Sequence, residues 1–494
     1  MALPDLIEII PLDKPVRAEI TVPGSKSITN RALILAALAD GMVTLEGALW
    51  SEDTQVMTEA LVKLGFEVKV ENDPNEFCNR RITVKGQGGR IPNTGTAEKP
   101  LELFVGNAGT AARFLAAMVC LGNGVYRLSG VPRMHERPQA ELFKALRELG
   151  YRVDATNEKL PVVIFGRDVF HRVPKPGRRE IGDAVERVPT RRTCTVSISE
   201  SSQFASALIL SAKHGGWEVK VAGDDDEEAP YVRMTERLVE VFPWSGGMFQ
   251  IEPDASSGSY FWAAGKVADS PEFLEFSEQF GTEVRTKVFS QISVTKWPSS
   301  GWQMDERFPM FLNLGRVFHH YLEVARKGES FDVRYFQEIV GKQERARVSR
   351  KLDLGDSIMT GIVVAAVECP VCDTFDFTDL GRLRVQECER VVALRTELTK
   401  CGGKVIEEGD TLTVYPSKLH GAEIETYNDH RMAMCFAILG LKVSGIKIKN
   451  PACVKKTFPN FFQKLATAPP NGLGVEIRDG HTGRKLGMDE LFAE

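Results

Sequence analysis

Three segments share one pattern: EALVKLGFEVKVE (59–71), KALRELGYRVDA (144–155) and RTELTKCGGKVIEE (395–408). In each, apolar residues at helical spacing end at a glycine (Gly65, Gly150 or Gly402), and a short alternating strand follows. Glycine is favoured there because it adopts the left-handed conformation without steric cost. The glycines are 85 and 252 residues apart, which indicates a repeated unit of about 80 residues. Six such units predict two similar α/β domains of three units each.

The composition is that of a globular protein. The chain has 494 residues, of which 43% are hydrophobic and 26% charged, and its net charge is −5. A slightly acidic chain is not typical of a nucleic-acid-binding protein, although anionic small molecules can still bind locally. The first residues lack the features of a signal peptide, and no apolar run is long enough to span a membrane. We therefore expect a cytoplasmic protein with no nucleic-acid or membrane partner.

The nine cysteines form no regular framework, which favours reduced thiols. Cys369 and Cys372 form a close pair, but no second pair completes a zinc site, so we interpret them as structural thiols.

The segment TVPGSKSITNRALILAALA (21–39) runs from a short strand into an apolar helix. Unpaired backbone N–H groups at a helix start attract anions, and Ser25, Lys26 and Ser27 lie at this start. Arg31 follows Ser27 by one helical turn on the same face. A nucleotide P-loop would need glycine where Glu19 stands, which argues against an ATP site.

Three further segments of the first half have the same character. In LFVGNAGTAARFLAAM (103–118), Gly109 would allow a ligand to approach the backbone closely, although an ordinary capped helix is an equal alternative. Arg137 precedes a helix and offers a guanidinium suited to carboxylate or phosphate. Ser201, Ser202 and Gln203 lie at another helix start.

Charged residues also precede apolar helices in the second half. These residues are Asp356, Glu387, Arg390, Asp429, His430, Arg431, Lys455 and Lys456. Each could serve only as a helix cap. Together they suit a site for two anions, which needs several cations to compensate charge and a carboxylate to move a proton.

Two segments break the repeat, at 167–195 and 315–352, and both are expected to be exposed excursions. The run KQERARVSRK (342–351) at the end of the second is expected to be a solvated helix.

Eight motifs occur together in the order found in one family. They are PGSKSITNRAL, LFVGNAGTAARFL, PRMHERP, SSQF, PDASSGSYF, RVQECER, TYNDHRMAMCFAI and KKTFPNF. The chain thus resembles the 5-enolpyruvylshikimate-3-phosphate (EPSP) synthase family from residue 10 to about 465. The resemblance implies an inside-out α/β barrel fold. Two domains, 1–21 plus 255–494 and 22–254, would each hold three βαβαββ units about a pseudo-threefold axis, with the active site in the cleft between them.

The resemblance also implies a reaction of the shikimate pathway, which leads to chorismate and the aromatic amino acids. The enolpyruvyl (carboxyvinyl) group of phosphoenolpyruvate would pass to the 5-hydroxyl of shikimate 3-phosphate, releasing phosphate. Shikimate 3-phosphate would be bound by Lys26, Ser27, Arg31, Ser201, Ser202, Gln203 and Asp356. Phosphoenolpyruvate would be bound by Lys26, Gly109, Arg137, Gln203, Arg390, Arg431 and Lys456. The catalytic residues would be Asp356 as base, Glu387 as acid, and Lys26 and His430 as supports for charge.

No metal or organic cofactor is implied, and we expect a monomer with two small-molecule substrates. The chain departs from the family pattern at Glu228 and Gln386, usually Ser and Lys, and at Arg382, usually Asn. Ala112 and Phe114 replace a common Met and Pro, so glyphosate sensitivity cannot be inferred from the motif. Two alternatives stay open: a catalytically weak relative that binds phosphorylated metabolites, and an enolpyruvyl transferase for another acceptor such as a UDP-sugar.

Overall fold

The computed structural model describes residues 3–167, 192–222, 229–268, 274–279, 282–287, 291–314, 345–367 and 374–493. Glu228, Cys369, Cys372 and most of both excursions lie outside the described residues. The chain divides into two compact units. Unit 1 comprises Met1–Pro23 and Pro253–Glu494, and unit 2 is the continuous segment Gly24–Glu252.

The α-helices of the described ranges are α1 (Lys26–Leu38), α2 (Glu52–Lys63), α3 (Gly109–Val119), α4 (Pro132–Glu136), α5 (Ala140–Glu148), α6 (Ser202–Gly215), α7 (Ala229–Val241), α8 (Ala255–Ala268), α9 (Phe308–Leu314), α10 (Ile358–Ala365), α11 (Arg390–Lys400), α12 (His430–Gly440) and α13 (Phe461–Ala466). Within these ranges, none is both long and apolar enough to span a membrane.

The β-strands of the described ranges are β1 (Leu6–Ile9), β2 (Arg17–Ile20), β3 (Met42–Leu49), β4 (Glu67–Asn72), β5 (Asn79–Lys85), β6 (Leu101–Phe104), β7 (Val125–Ser129), β8 (Arg152–Ala155), β9 (Val162–Phe165), β10 (Arg192–Ser197), β11 (Trp217–Ala222), β12 (Gly247–Gln250), β13 (Leu274–Gln279), β14 (Thr282–Lys287), β15 (Gln291–Val294), β16 (Ala346–Ser349), β17 (Phe375–Thr378), β18 (Lys404–Glu408), β19 (Thr411–Tyr415), β20 (Glu423–Ile424), β21 (Ile446–Lys449) and β22 (Ile477–Asp479).

In the part of the chain that the structure describes, four sheets of four strands share one βαβαββ topology. Their strand orders are β6-β7-β9-β8 and β12-β3-β5-β4 in unit 2, and β16-β17-β19-β18 and β20-β21-β1-β22 in unit 1. In each, the first two strands in this order are parallel, and the last two form an antiparallel pair. A helix joins the parallel strands in three of the sheets, whereas β12 and β3 lie at opposite ends of unit 2. Two sheets include a strand that is distant in sequence from the others: β12, at the end of unit 2, pairs with β3, and β1, at the start of unit 1, lies between β21 and β22.

The third group of each unit shows a parallel pair within the described residues. In unit 2 this pair is β10 with β11, and in unit 1 it is β2 with β15. The mixed α/β fold class predicted from the sequence is confirmed.

One helix from each group is buried at the centre of its unit. In unit 2, α1, α3 and α6 pack against one another, and in unit 1 the same is true of α8, α10 and α12. These helices are buried on nearly all sides, which their largely apolar sequences allow. The sheets therefore surround a helical core in each unit.

The predicted helix–glycine–strand arrangement of the three segments is confirmed. Gly65, Gly150 and Gly402 have φ values of +90°, +87° and +84°. Each follows a helix (α2, α5 or α11) and precedes a strand (β4, β8 or β18).

The expectation of a solvated helix at 342–351 is wrong where the structure describes that run. Residues 346–349 form strand β16, which pairs parallel to β17, and Ala346 and Val348 are buried. Four residues of alternating polarity suit a strand as well as a helix, so the charged flanks misled the prediction.

Candidate active site

The first turns of the three central helices lie together in unit 2. Arg113 of α3 donates to Gln203 Oε1 of α6 at 2.6 Å. Arg31 of α1 donates to Ser206 of α6 at 3.1 Å, and its guanidinium lies 5.3 Å from the ring centroid of Phe114. Because a helix N-terminus carries partial positive charge and unpaired N–H groups, this end of unit 2 is suited to anions.

Lys26 begins α1 and is paired with a carboxylate that the sequence prediction missed. Its Nζ lies 3.3 Å from Asp53 Oδ2, and the exposed fractions of the two side chains are 22% and 7%. Asp53 lies in the acidic first turn of α2. That position indicated a helix start, but no sequence pattern connected it with Lys26.

Arg31 is buried and its donors have partners within unit 2. Nε donates to Thr235 at 2.7 Å, and Nη1 donates to the backbone carbonyl of Ser27 at 2.9 Å. Arg31 thus joins α1 to α6 and α7. These contacts fix the position of Ser27, its predicted companion in the shikimate 3-phosphate site.

Gly109 and Arg137, both predicted to hold phosphoenolpyruvate, are in contact. A Cβ added at Gly109 would lie 2.7 Å from both Nη1 and Nη2 of Arg137. Arg137 Nη1 also donates to the carbonyl of Asn107 at 3.2 Å. A larger residue at position 109 would therefore displace the Arg137 guanidinium, which is the end of a flexible side chain.

Ser201, Ser202 and Gln203 form the start of α6. Ser201 is the N-cap and accepts a hydrogen bond from the Gln203 backbone N–H at 3.3 Å. Ser201 and Ser202 are buried. Their hydroxyls therefore lie at the positively polarised end of a buried helix.

In unit 1, Asp356 lies between two arginines, at the N-terminal end of α10. Its Oδ1 accepts from Arg350 Nη2 at 3.0 Å, and its Oδ2 lies 3.0 Å from Arg431 Nη2. Burial of the carboxylate would raise its pKa, but the charges of Arg431, Arg350 and Arg390 outweigh burial and hold the pKa well below its ordinary value. Asp356 is thus ionised.

Glu387 lies between two cations that were predicted to bind phosphoenolpyruvate. Its Oε1 accepts from Lys456 Nζ at 2.8 Å, and its Oε2 lies 2.8 Å from Arg390 Nη2. The structure therefore brings together the predicted acid and two predicted ligands of an anion.

Asp429 holds Arg390 and also begins α12. Its two carboxylate oxygens accept from Arg390 Nε at 2.7 Å and Nη2 at 3.2 Å. Oδ1 also caps the helix by accepting from the Arg431 backbone N–H at 2.8 Å. His430 Nδ1 lies 3.8 Å from Asp429 Oδ1. Burial lowers the pKa of Arg390, but Asp429, Glu387 and Asp356 raise it by more, so its charge is retained.

Two of the departures from the family pattern lie beside this cluster. Gln386 Oε1 accepts a hydrogen bond from Arg390 Nη1. Arg382 lies in the 3-10 turn Gly381–Val385. Glu228, another of the departures, lies outside the described residues.

The sequence predictions missed Arg350 and Asp305. Arg350 belongs to the run interpreted as a solvated helix, so its burial was not expected. Asp305 is buried and accepts hydrogen bonds from Ser357, the residue after Asp356, through the backbone N–H at 3.1 Å and the hydroxyl at 2.6 Å. The pair Asp305–Glu306 after a tryptophan-containing loop gave no signal of this contact.

The whole sequence matches a protein-family model. The family model described as EPSP synthase (3-phosphoshikimate 1-carboxyvinyltransferase) matches residues 11–273 and 329–465. The 3-phosphoshikimate 1-carboxyvinyltransferase of Trichormus variabilis is 34% identical over 486 residues, which cover 93% of this chain and 98% of that protein. The protein of the same name from Opitutus terrae is 36% identical, covering 94% of this chain and 98% of its own.

Solved structures share the fold at lower sequence identity. EPSP synthase from Acinetobacter baumannii has a TM-score of 0.61 and 20% identity, covering 96% of this chain and all of its own. The enolpyruvyl transferase NikO from Streptomyces tendae has a TM-score of 0.54 and 14% identity, covering 97% of this chain and 99% of its own. The fold, the motifs and the extent of the sequence matches together show that this chain belongs to the EPSP synthase (3-phosphoshikimate 1-carboxyvinyltransferase) family.

Proposed function

We propose that the chain transfers the enolpyruvyl group of phosphoenolpyruvate to the 5-hydroxyl of shikimate 3-phosphate and releases inorganic phosphate, as a step of aromatic amino acid biosynthesis. The observation that carries the proposal is the cluster in unit 1. Its two carboxylates, Asp356 and Glu387, are each held between two cations. Such a cluster combines proton-transfer groups with charges that attract anionic substrates.

Shikimate 3-phosphate is proposed to bind to the helix starts of unit 2. Ser201, Ser202 and Gln203 supply donors at the start of α6, and Ser27 and Lys26 supply them at the start of α1. Arg31 orients Ser27 through the carbonyl contact at 2.9 Å. An incoming phosphate would compete with Asp53 for Lys26, because the 3.3 Å pair is partly exposed.

Phosphoenolpyruvate is proposed to bind to Arg390, Arg431 and Lys456 of unit 1, with Lys26, Gly109, Arg137 and Gln203 of unit 2. Each of these unit 1 cations is paired with a carboxylate. The substrate's negative charges would draw these cations away from Glu387 and Asp356. The pKa of Asp356, which these arginines hold low, would then rise, and this suits its role as a base.

The proposed reaction is an addition followed by an elimination. Asp356 accepts the proton of the 5-hydroxyl, whose oxygen bonds to C2 of phosphoenolpyruvate while Glu387 protonates C3. In the elimination, the new methyl group returns a proton to Glu387 and the C2–O bond to phosphate breaks. The departing phosphate takes up the former hydroxyl proton, so that Asp356 is ionised again. Lys26 and His430 support the charge of the tetrahedral intermediate; removing one such donor commonly costs about 3 kcal/mol.

We also propose that the enzyme acts as a cytoplasmic monomer. The buried free thiols of Cys120, Cys401 and Cys435 suit a reducing compartment. All the proposed roles fall on residues of one chain, so the chemistry requires no second subunit. Light scattering of the protein as it elutes from a size-exclusion column measures its mass in solution. The mass of a dimer would contradict the proposed monomer.

An acceptor panel tests the proposed substrate. Purified protein is incubated with phosphoenolpyruvate and either shikimate 3-phosphate, shikimate or a UDP-sugar, and released phosphate is measured. We expect turnover with shikimate 3-phosphate alone. Turnover with the UDP-sugar instead would contradict the proposed acceptor.

A further inference from the structure

Arg350 is placed beside the proposed base by a fixed turn. It follows strand β16 directly, and its backbone N–H donates to the Thr378 carbonyl at 3.0 Å. The next residues fold back on Ser349, whose N–H donates to the Asp353 carboxylate at 2.8 Å and whose hydroxyl accepts from the Leu352 N–H at 3.1 Å. The turn thus directs a buried side chain, 4% exposed, onto Asp356.

The two arginines that contact Asp356 differ in whether they are also proposed to bind substrate. Arg431 lies in the first turn of α12 and is a proposed ligand of phosphoenolpyruvate. Arg350 holds the opposite oxygen, Oδ1, with its Nη2 at 3.0 Å. A substrate that draws Arg431 away would therefore release Oδ2 and leave Oδ1 held.

We propose that Arg350 is a positioning residue for the reaction. It holds Asp356 through Oδ1 and compensates its charge when phosphoenolpyruvate engages Arg431, so that Oδ2 is the oxygen that accepts the hydroxyl proton. This inference rests on the proposed function.

The surroundings of Asp356 support this role. Among the described residues, Arg431, Arg350, Arg390 and Asp305 act on Asp356 itself. The groups that act on its two arginines also include Tyr260, Asp254 and Arg382. Tyr260 remains neutral, because burial raises its pKa well above the ordinary value. Burial lowers the pKa of Arg350, while Asp356 raises it. Asp305 opposes ionisation of Asp356 by like charge, so loss of the Arg350 cation would leave the base with less compensation.

The test compares Arg350→Met, Arg350→Lys and wild type in kcat, KM for both substrates, and the pH dependence of kcat. Removing a cation raises the pKa of a nearby carboxyl group by about 1–3 units, so Arg350→Met should move the acid limb to higher pH by about one unit or more. We expect kcat at pH 7 to fall about 10- to 100-fold with both KM values within about threefold of wild type. Arg350→Lys should leave the acid limb in place and lower kcat less.

Arg347→Met is the matched control, because Arg347 is exposed on strand β16, three residues before Arg350. This variant should have the kcat, KM values and pH dependence of wild type. The coupling is tested in an Asp356→Asn background. There Arg350→Met should change the residual turnover by less than about twofold, because its effect passes through Asp356.

A wild-type pH profile and kcat in folded Arg350→Met would overturn the inference. It would also be overturned if Arg350→Met lowered kcat by the same factor in the Asp356→Asn background as in wild type. If Arg350→Met does not fold, the same cycle with Arg350→Lys decides: a kcat loss that vanishes with Asp356→Asn supports the role, and one that persists contradicts it. Wild-type protein without turnover would instead overturn the proposed function itself.

Discussion

The contact between Gly109 and Arg137 leads to the first prediction. Gly109→Ala would force the Arg137 guanidinium, 2.7 Å from the new Cβ, to move. A hydrogen bond to a charged group contributes about 1.5–3 kcal/mol, so KM for phosphoenolpyruvate should rise about 10-fold or more. Steady-state kinetics measures this, with Gly265→Ala as control, because its nearest atom is 3.5 Å away. An unchanged KM would remove Arg137 from the phosphoenolpyruvate site.

The second prediction concerns Glu387, the proposed acid. Glu387→Gln keeps the shape of the side chain but cannot transfer the proton, so kcat should fall at least about 100-fold. KM for phosphoenolpyruvate should not rise, because Arg390 and Lys456 lose a competing carboxylate. The exposed Glu408→Gln is the control, and both constants come from initial rates. A full kcat would show that another group is the acid.

At the residue scale, the sequence identified many polar side chains at helix starts but few of their partners. Helix starts follow from local pattern, which is why Lys26 and Arg431 were recognised. The pairs Lys26–Asp53 and Asp356–Arg350 depend on tertiary packing, or on a turn that the pattern did not reveal. Spacing alone therefore predicted candidates, and geometry was needed to pair them.

At the scale of elements, the glycine after a helix can be tested without disturbing packing. Gly150 has φ +87° and no atom within 4 Å of an added Cβ. Gly150→Ala should therefore destabilise only through its left-handed backbone, by about 1–2 kcal/mol. Gly65→Ala should cost more, because its Cβ would also lie 2.8 Å from Asn93. Urea unfolding measures both; equal losses would contradict the steric argument.

Asp429 combines two functions at the start of α12, as helix cap and as partner of Arg390. Asp429→Ala should lower the free energy of unfolding by about 3 kcal/mol, because the buried Arg390 guanidinium keeps Glu387 but loses the charged hydrogen bonds to Asp429, and the helix loses its cap. Asp429→Asn should cost less, since its amide oxygen can still cap the helix. Thermal and urea unfolding measure the losses, with exposed Asp410→Asn as control. If Asp429→Ala unfolded like wild type, the pair would not stabilise the helix start.

At the scale of the whole molecule, the helix–glycine–strand phrase predicted the repeated α/β architecture. It could not show that two sheets are completed from the opposite end of their unit, because strand pairing over such distances leaves no local pattern. Strand β1 therefore lies between β21 and β22 although it begins the chain.

This topology predicts the effect of removing β1. Deletion of residues 1–12 should unfold unit 1, because the sheet loses an inner strand with Ile7 and Ile9 fully buried. Unit 2 is continuous and closes its own sheets, so it should stay folded. Hydrogen exchange read by mass spectrometry reports the two units separately. Undiminished protection in 253–494 would contradict the structural role of β1.

Phosphorus NMR of the wild-type reaction is the most direct measurement of the proposed chemistry. Purified protein, shikimate 3-phosphate and phosphoenolpyruvate are mixed, and the phosphate and product resonances are followed over time. We predict that inorganic phosphate and the enolpyruvyl ether of shikimate 3-phosphate appear in equal amounts. No release by folded protein that still binds shikimate 3-phosphate would contradict the proposed function and identify a metabolite-binding relative.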